Sequence, residues 1–267
     1  MPHESEMPWV NKIYNTSCIS MDDLPNDSID TCITSPPYFN LRDYGHKDQI
    51  GSEIDLSSYI ENMSVVFREV FRVLKPTGTC WLNIGETYEV GNRSRWDGIK
   101  KKDQMLVPYH VATRLKADGW MVLQTFIWHK PDTMPSPVRD RTAPAHEYIF
   151  LLAKTQSYAL AKMVQDIPPL WSISKNRYAG LHFATMPREI VRRCVLLGSP
   201  ASGVVLDPFL GSGTTAEVAV GCGRKFVGYE LNQDYCRIAM NRIGLFIDSD
   251  DHRFLFPHAE NESAIEG

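Results

Sequence analysis

The feature that most constrains this chain is the stretch Val204-Val-Leu-Asp-Pro-Phe-Leu-Gly-Ser-Gly-Thr-Thr-Ala216. Val204, Val205 and Leu206 form a short apolar, β-branched run, the pattern of a buried parallel strand. Asp207 to Gly213 then make a tight turn, in which Gly211 and Gly213 are free to take φ > 0 and to let a ligand approach the backbone. Thr214 is placed to cap a helix through Ala216, Val218 and Ala219. Gly221-Cys-Gly223 ends that helix, Lys225 to Tyr229 read as a second strand, and Glu230 stands at its carboxyl end. Strand, glycine turn, helix, strand and acid in this order describe a nucleoside-binding βαβ unit, with the acid placed to accept bonds from a ribose diol. Gly-Ser-Gly lacks the third glycine of the dinucleotide fingerprint, and no Lys follows it as a phosphate-cradling loop requires. A dinucleotide is therefore not the expected ligand.

The length of 267 residues predicts one large domain, or a domain with a modest insert, and 43% hydrophobic residues suffice for a full core. Cys18, Cys32, Cys80, Cys194, Cys222 and Cys236 are scattered without a C-x-x-C pair. That spacing predicts reduced thiols in a cytoplasmic protein and argues against a zinc ribbon, so no metal is expected. No signal peptide is visible at the amino terminus, and no apolar run approaches the ~20 residues that span a bilayer, so no membrane partner is expected. The net charge of −4 does not by itself suggest nucleic acid. Its distribution softens this, because Asp248, Asp250, Asp251, Glu260, Glu262 and Glu266 face Arg253 alone beyond Ile247. The remaining body is close to neutral and can carry one basic face.

In chain order, residues 1–11 read as a flexible arm, followed by a short strand at Lys12 to Tyr14 and a brief helix ending near Leu24. Ser28 to Thr34 read as a strand cut off by Pro36-Pro37, and residues 39–55 as a polar loop. Tyr59, Ile60, Met63, Val66, Phe67, Val70, Phe71 and Leu74 recur at helical spacing. Thr79 to Ile84 form the next expected strand, Gly85 to Gln104 a long polar loop, and Leu106 to Leu115 a helix with Pro108 in its first turn. Trp120 to Trp128 and His146 to Ala153 suggest a hairpin at one sheet edge. Residues 154–181 have no clear period and read as an insert. Residues 182–246 complete the domain, with helices from Pro187 to Gly198 and from Gln233 to Ile243, before the acidic tail 247–267. Strands alternating with helices make this an α/β sheet.

A second stretch, Thr34-Ser-Pro-Pro-Tyr38, lies at the carboxyl end of a strand, the edge at which open α/β sheets bind ligands. Pro-Pro stops further pairing and stiffens the turn. The turn thus presents the Ser35 hydroxyl, the Pro36 carbonyl and the Tyr38 ring, a set that suits a flat heterocycle bearing an exocyclic amine.

Together the two stretches resemble the catalytic and cofactor motifs of exocyclic-amino DNA methyltransferases, which act on N4 of cytosine or N6 of adenine. Their order, catalytic motif first, resembles the circularly permuted β group. Arg42-Asp-Tyr-Gly45, Gln49-Ile-Gly-Ser-Glu53, Phe67 to Gly78, His182-Phe-Ala-Thr-Met-Pro187 and Gly223 to Glu230 extend the likeness over residues 12–243. The resemblance implies a Rossmann-like, seven-stranded sheet that binds S-adenosyl-L-methionine, entered at its third strand, with the first two strands added last. Residues 12–153 would hold the catalytic part and 182–246 the cofactor part. The insert 154–181 would read the target sequence.

By position, the resemblance gives Asp207, Phe209, Gly211, Gly213 and Thr214 to the cofactor's methionine end and sulfonium, and Glu230 to its ribose. The segment His182 to Pro187, including Thr185, would cover the methionine moiety from the other side. Family members often carry an acid near Ser17, where it can accept from the adenine amine; Ser17 can accept one bond. Ser35, Pro36, Pro37 and Tyr38 would form the catalytic turn. Ser35 Oγ and the Pro36 carbonyl would accept the two N–H groups of the target amine and localise its lone pair, and alignment would supply much of the rate. In duplex DNA the base must first be flipped out, at a cost of a few kcal/mol, which stacking on Tyr38 partly recovers. Phosphate contacts are expected from Arg42, Arg93, Arg95, Lys100, Lys101, Lys102, Lys130, Arg139 and Arg141.

The expected reaction is methylation of cytosine N4, because Ser at the first motif position goes more often with cytosine in the resembling family and Asp with adenine. The alternatives are N6 of adenine, an amine of RNA or a protein amide, and a DNA-binding subunit that has lost catalysis. Double-stranded DNA is the expected partner. A cognate restriction endonuclease acting independently is compatible with this reading, as is either a monomer or a homodimer.

Overall fold

Apolar runs of strand length alternating with amphipathic helices build one mixed sheet covered on both faces in the computed structural model, which describes residues 7–89, 99–133, 138–175 and 185–247. The elements are β1 (Lys12–Tyr14), β2 (Ile29–Thr34), α1 (Leu56–Val73), β3 (Leu74–Ile84), α2 (Val107–Ala117), β4 (Met121–His129), β5 (His146–Ala153), a 3-10 turn (Lys162–Asp166), β6 (Leu170–Ser172), α3 (Arg188–Gly198), β7 (Val204–Asp207), α4 (Thr214–Gly221), β8 (Lys225–Tyr229) and α5 (Gln233–Ile247). Their order across the sheet is β1-β8-β7-β2-β3-β5-β4-β6. The first five strands are parallel, and β5 runs antiparallel between β3 and β4.

The sheet has eight strands where seven were expected. The eighth, β6, comes from the aperiodic segment and adds to β4 in parallel, matching Ile127 to Leu170 and His129 to Ser172. It covers what would otherwise be a bare edge of the β4–β5 hairpin. A fully buried Trp171 anchors it, stacked against Trp81 at 6.4 Å between ring centres.

Period-2 alternation divides the core into two layers. Cys80, Leu82 and Ile84 of β3 pack with Tyr59, Met63 and Phe67 of α1 and with α2. Trp81 points the other way, into the layer made with Ile190, Val191 and Val195 of α3 and with α4 and α5. Asp55 caps α1 by accepting from Ser58 N at 2.7 Å, as N-cap carboxylates do.

Three local expectations are corrected. The brief helix before Leu24 does not form; the segment is a series of turns. Its backbone bonds are taken by α1 instead: Glu69 accepts from Met21 N, and Arg72 donates to the carbonyls of Met21 and Leu24. Thr214 is the first residue of α4 and not its cap, a position filled by Gly213 at φ +86°. In the expected flexible arm, residues 7–11 are anchored, with Trp9 buried and Asn11 exchanging two hydrogen bonds with Phe226. The acidic stretch beyond Ile247 lies outside the described residues. All six cysteines are free. No helix among the described residues is long and apolar enough to cross a membrane.

Candidate active site

At the carboxyl ends of β2, β7 and β8 the sheet opens into a cleft of about 340 Å³. Its inner wall comes from Ser17 after β1, from Phe209 to Ser212 after β7, and from Glu230 to Asn232 after β8. The loop from Arg42 to Ile50 forms its outer wall. Asn232 Nδ2 holds that loop by donating to the Tyr44 carbonyl at 3.1 Å.

Glu230 sits where the strand order predicts. Its carboxylate accepts from Gly211 N at 2.9 Å and from Asn232 N at 2.8 Å, one bond per oxygen, so lone pairs remain for a diol. Burial raises its pKa above the ordinary value, against the lowering effect of those backbone N–H groups. Gly211 adopts φ +55°, and a Cβ there would meet nothing closer than 4.0 Å, which leaves its backbone open to the cleft. A carboxylate with spare acceptors, an open backbone turn and the Phe209 face together fit a nucleoside.

Behind Phe209 lies a second space of about 70 Å³ bordered by Ser35, Thr185, Met186, Thr214 and Thr215. Ser35, Thr185, Phe209, Gly211 and Ser212 border both spaces. Asp207 also borders the smaller space. It is 4% exposed, and its carboxylate is engaged by Thr34 Oγ1 at 2.7 Å, Thr215 Oγ1 at 2.6 Å and Phe209 N at 3.0 Å. It therefore acts as a strut between the end of β2 and the start of α4, and burial pushes its pKa up to about 6. Gly213 is likewise spent on packing, since a Cβ there would lie 2.7 Å from the Ala239 Cβ. Pro187 is buried at the start of α3 and borders neither space. Ser17 borders the main cleft, with its Oγ accepting from Ile19 N. His182 lies outside the described residues.

The Ser35 to Tyr38 turn follows β2 directly. Ser35 Oγ lies 3.4 Å from Tyr38 Oη, which donates to Glu147 Oε2 at 2.6 Å. Glu147, at the start of β5, also accepts from Asn83 Nδ2 at 3.1 Å and from Lys130 Nζ. Burial, then Glu147, pushes the Tyr38 hydroxyl pKa well up, so it stays protonated. Lys130 is thus corrected from a phosphate contact to a buried partner of Glu147, 7% exposed and 4.7 Å above the Trp128 ring.

Of the other basic candidates, Lys102 pairs with Asp140 at 2.5 Å, and Arg141 lies 4.0 Å over the Tyr88 ring. Loops far apart in sequence therefore meet, which brings Lys100 and Lys101 near Arg139, all three exposed. Arg42 borders the larger cleft. Arg93 and Arg95 lie outside the described residues. Sequence reasoning missed Glu147 and Asn83, and with them the role of the 42–50 loop as a wall. The loop had a signal, the quoted matches at Arg42 to Gly45 and Gln49 to Glu53; Glu147 had none beyond an acid heading an apolar run.

The sequence profile of the N6_N4_Mtase family, described as DNA methylase, matches residues 29–241. The type II methyltransferase M.SmaI of Serratia marcescens is 40% identical over 270 residues, which cover 90% of this chain and 92% of that protein. M.Cfr9I of Citrobacter freundii is 36% identical over 82% of this chain and 83% of its own length. Among solved structures, the cytosine-N4-specific PvuII DNA methyltransferase superposes with a TM-score of 0.72 at 21% identity, over 86% of this chain and 85% of the other, a likeness of fold. A Thermus thermophilus protein described as a DNA modification methylase, solved in complex with S-adenosyl-L-methionine, gives 0.69 at 25% identity, over 90% and 96%. The chain belongs to the N6/N4 family of DNA methylases.

Proposed function

We propose that this DNA methyltransferase methylates N4 of cytosine within a specific duplex sequence, in the setting of restriction and modification that the type II relatives suggest. The observation that carries the reading is the position of Ser35: the expected acceptor of the target amine borders both the cleft closed by Glu230 and the smaller space behind Phe209.

S-adenosyl-L-methionine is the methyl donor and supplies an electrophilic methyl group on a sulfonium. Glu230 would hold the donor's ribose hydroxyls with its spare lone pairs, Phe209 and Gly211 would line the donor's reacting end, and Ser17 would offer one acceptor to its adenine. Ser35 Oγ and the Pro36 carbonyl accept the two amine N–H groups, so the nitrogen lone pair is drawn out of the aromatic ring and aimed at the donor. Tyr38 stacks on the extruded base, an interaction worth ~1–3 kcal/mol. The exposed Lys100, Lys101 and Arg139 contact phosphates, and residues 154–181 read the target sequence.

Cytosine is favoured over adenine because Ser at the position of Ser35 goes more often with cytosine in the resembling family, and Asp with adenine. DNA methylated by the purified chain, digested to nucleosides and analysed by mass spectrometry, should yield N4-methylcytosine. N6-methyladenine as the main product would overturn the base assignment and leave the fold untouched.

A further inference from the structure

Ser35 poses a problem that a carboxylate in its place would not. A carboxylate can only accept hydrogen bonds, whereas a hydroxyl donates or accepts according to its surroundings. Capture of an amine through its N–H needs the accepting orientation. Something must therefore occupy the Ser35 proton.

We infer that Glu147 is a positioning residue that, through the Tyr38 hydroxyl, fixes Ser35 Oγ as an acceptor facing the target amine. The inference rests on the reading of Ser35 given above. Glu147 accepts from Tyr38 Oη at 2.6 Å, so the tyrosine proton is committed to the carboxylate. The Tyr38 oxygen can then only accept from Ser35 Oγ, 3.4 Å away. That distance is long, as catalytic hydrogen bonds commonly are before substrate binds, but it decides direction: the serine proton points to Tyr38 and its lone pairs are left for the base.

The rest of the cluster keeps Glu147 in this role. Lys130 Nζ bonds its Oε1 and Asn83 Nδ2 its Oε2, while Asn83 also donates to the Tyr148 carbonyl at 3.2 Å. Lys130 is fixed in turn by its backbone bond to the Ala145 carbonyl at 2.7 Å. Gly85 provides the room, because a Cβ there would lie 2.6 Å from Tyr38 Cε2 and 3.2 Å from Glu147 Cγ. A donor–acceptor chain thus runs from a buried ion pair to the serine that borders the cleft.

The test compares Tyr38→Phe, Glu147→Gln and the double variant with wild type, by single-turnover methylation of a duplex carrying the recognition site. Tyr38→Phe keeps the ring for stacking and leaves the Lys130–Glu147 pair intact, so it decides the matter even if Glu147→Gln fails to fold. Each single variant should slow methyl transfer by about 10- to 100-fold, with duplex affinity within about threefold of wild type. The double variant should be no slower than the slower single one, because both act through one chain. A wild-type rate in folded Tyr38→Phe, or losses that multiply in the double variant, overturns the inference. A wild type that methylates adenine overturns only the base assignment, and one that methylates neither base defeats both readings.

Discussion

On the proposed cofactor side of the cleft, Asp207, Phe209, Gly211 and Glu230 belong to one βαβ unit; Glu230 is met by two backbone N–H groups, and Asp207 by one backbone N–H and two threonine hydroxyls. Glu230 reaches Gly211 N across 19 positions, and Asp207 reaches Phe209 N across two. On the base side, Tyr38, Asn83, Lys130 and Glu147 come from separate segments and meet through side chains; Tyr38 and Glu147 are 109 positions apart. Backbone donors are supplied by any sequence that makes the turn. A buried side-chain network exists only if every member is present, and each ion in it has already lost its water. The cofactor side should therefore yield gradually to substitution, and the base side abruptly.

The sharpest way to break this contrast is Lys130→Met, which leaves Glu147 buried without its cation. The expected loss is ~3–5 kcal/mol of folding stability, read by urea denaturation. Lys130→Met combined with Glu147→Gln should recover most of it, since no lone charge remains. If the single variant unfolds like wild type, the base side is no more brittle than the other.

An intermediate effect is expected at Asp207, whose carboxyl has a pKa of about 6 in the fold against an ordinary 3.8. Between those values the native state holds a proton that the unfolded chain has lost. The contribution is therefore fully present below the unfolded value and is lost as pH rises through about 6. Relative to Asp207→Asn, wild type should gain ~2–3 kcal/mol of stability between about pH 7 and pH 4. A gap that stays constant over this range would remove burial as the cause.

The smallest effect is expected at Glu230. Glu230→Ala should weaken S-adenosylhomocysteine binding by ~1–3 kcal/mol, measured by calorimetric titration, because the ribose hydroxyls and two backbone N–H groups lose their acceptor. Unchanged affinity in a folded variant would place the diol elsewhere.

The same contrast explains what the amino-acid sequence disclosed. The unit from Val204 to Glu230 is legible because strand period, glycine turn, helix and acid follow one another without interruption, and the observed strands, Val204–Asp207 and Lys225–Tyr229, match that reading. The Ser35 to Tyr38 turn is legible as a rigid strand end. Glu147 is not, because an acid at the head of His146–Ala153 looks like a solvated strand start until Lys130 is folded against it. Lys130 misleads for the same reason: a lysine in a proline-rich loop reads as surface charge. Asp207 was expected to face the ligand; it borders the smaller space, and only the arrival of Thr34 and Thr215 shows that it also ties β2 to α4. β6 escaped notice because three residues carry no periodicity.

The pairing of β1 with β8 has a consequence for how this molecule is made. Asn11 and Phe226 exchange hydrogen bonds across 215 positions, and β8 is the sheet partner of β1. On the ribosome, β1 must wait without a neighbour until β8 has left the exit tunnel, and contacts of such long range form late. The cleft proposed for the nucleoside, walled by residues after both strands, has no shape before then. A growing chain would therefore be unable to take up the methyl donor, and capture of the donor would follow completion of the sheet.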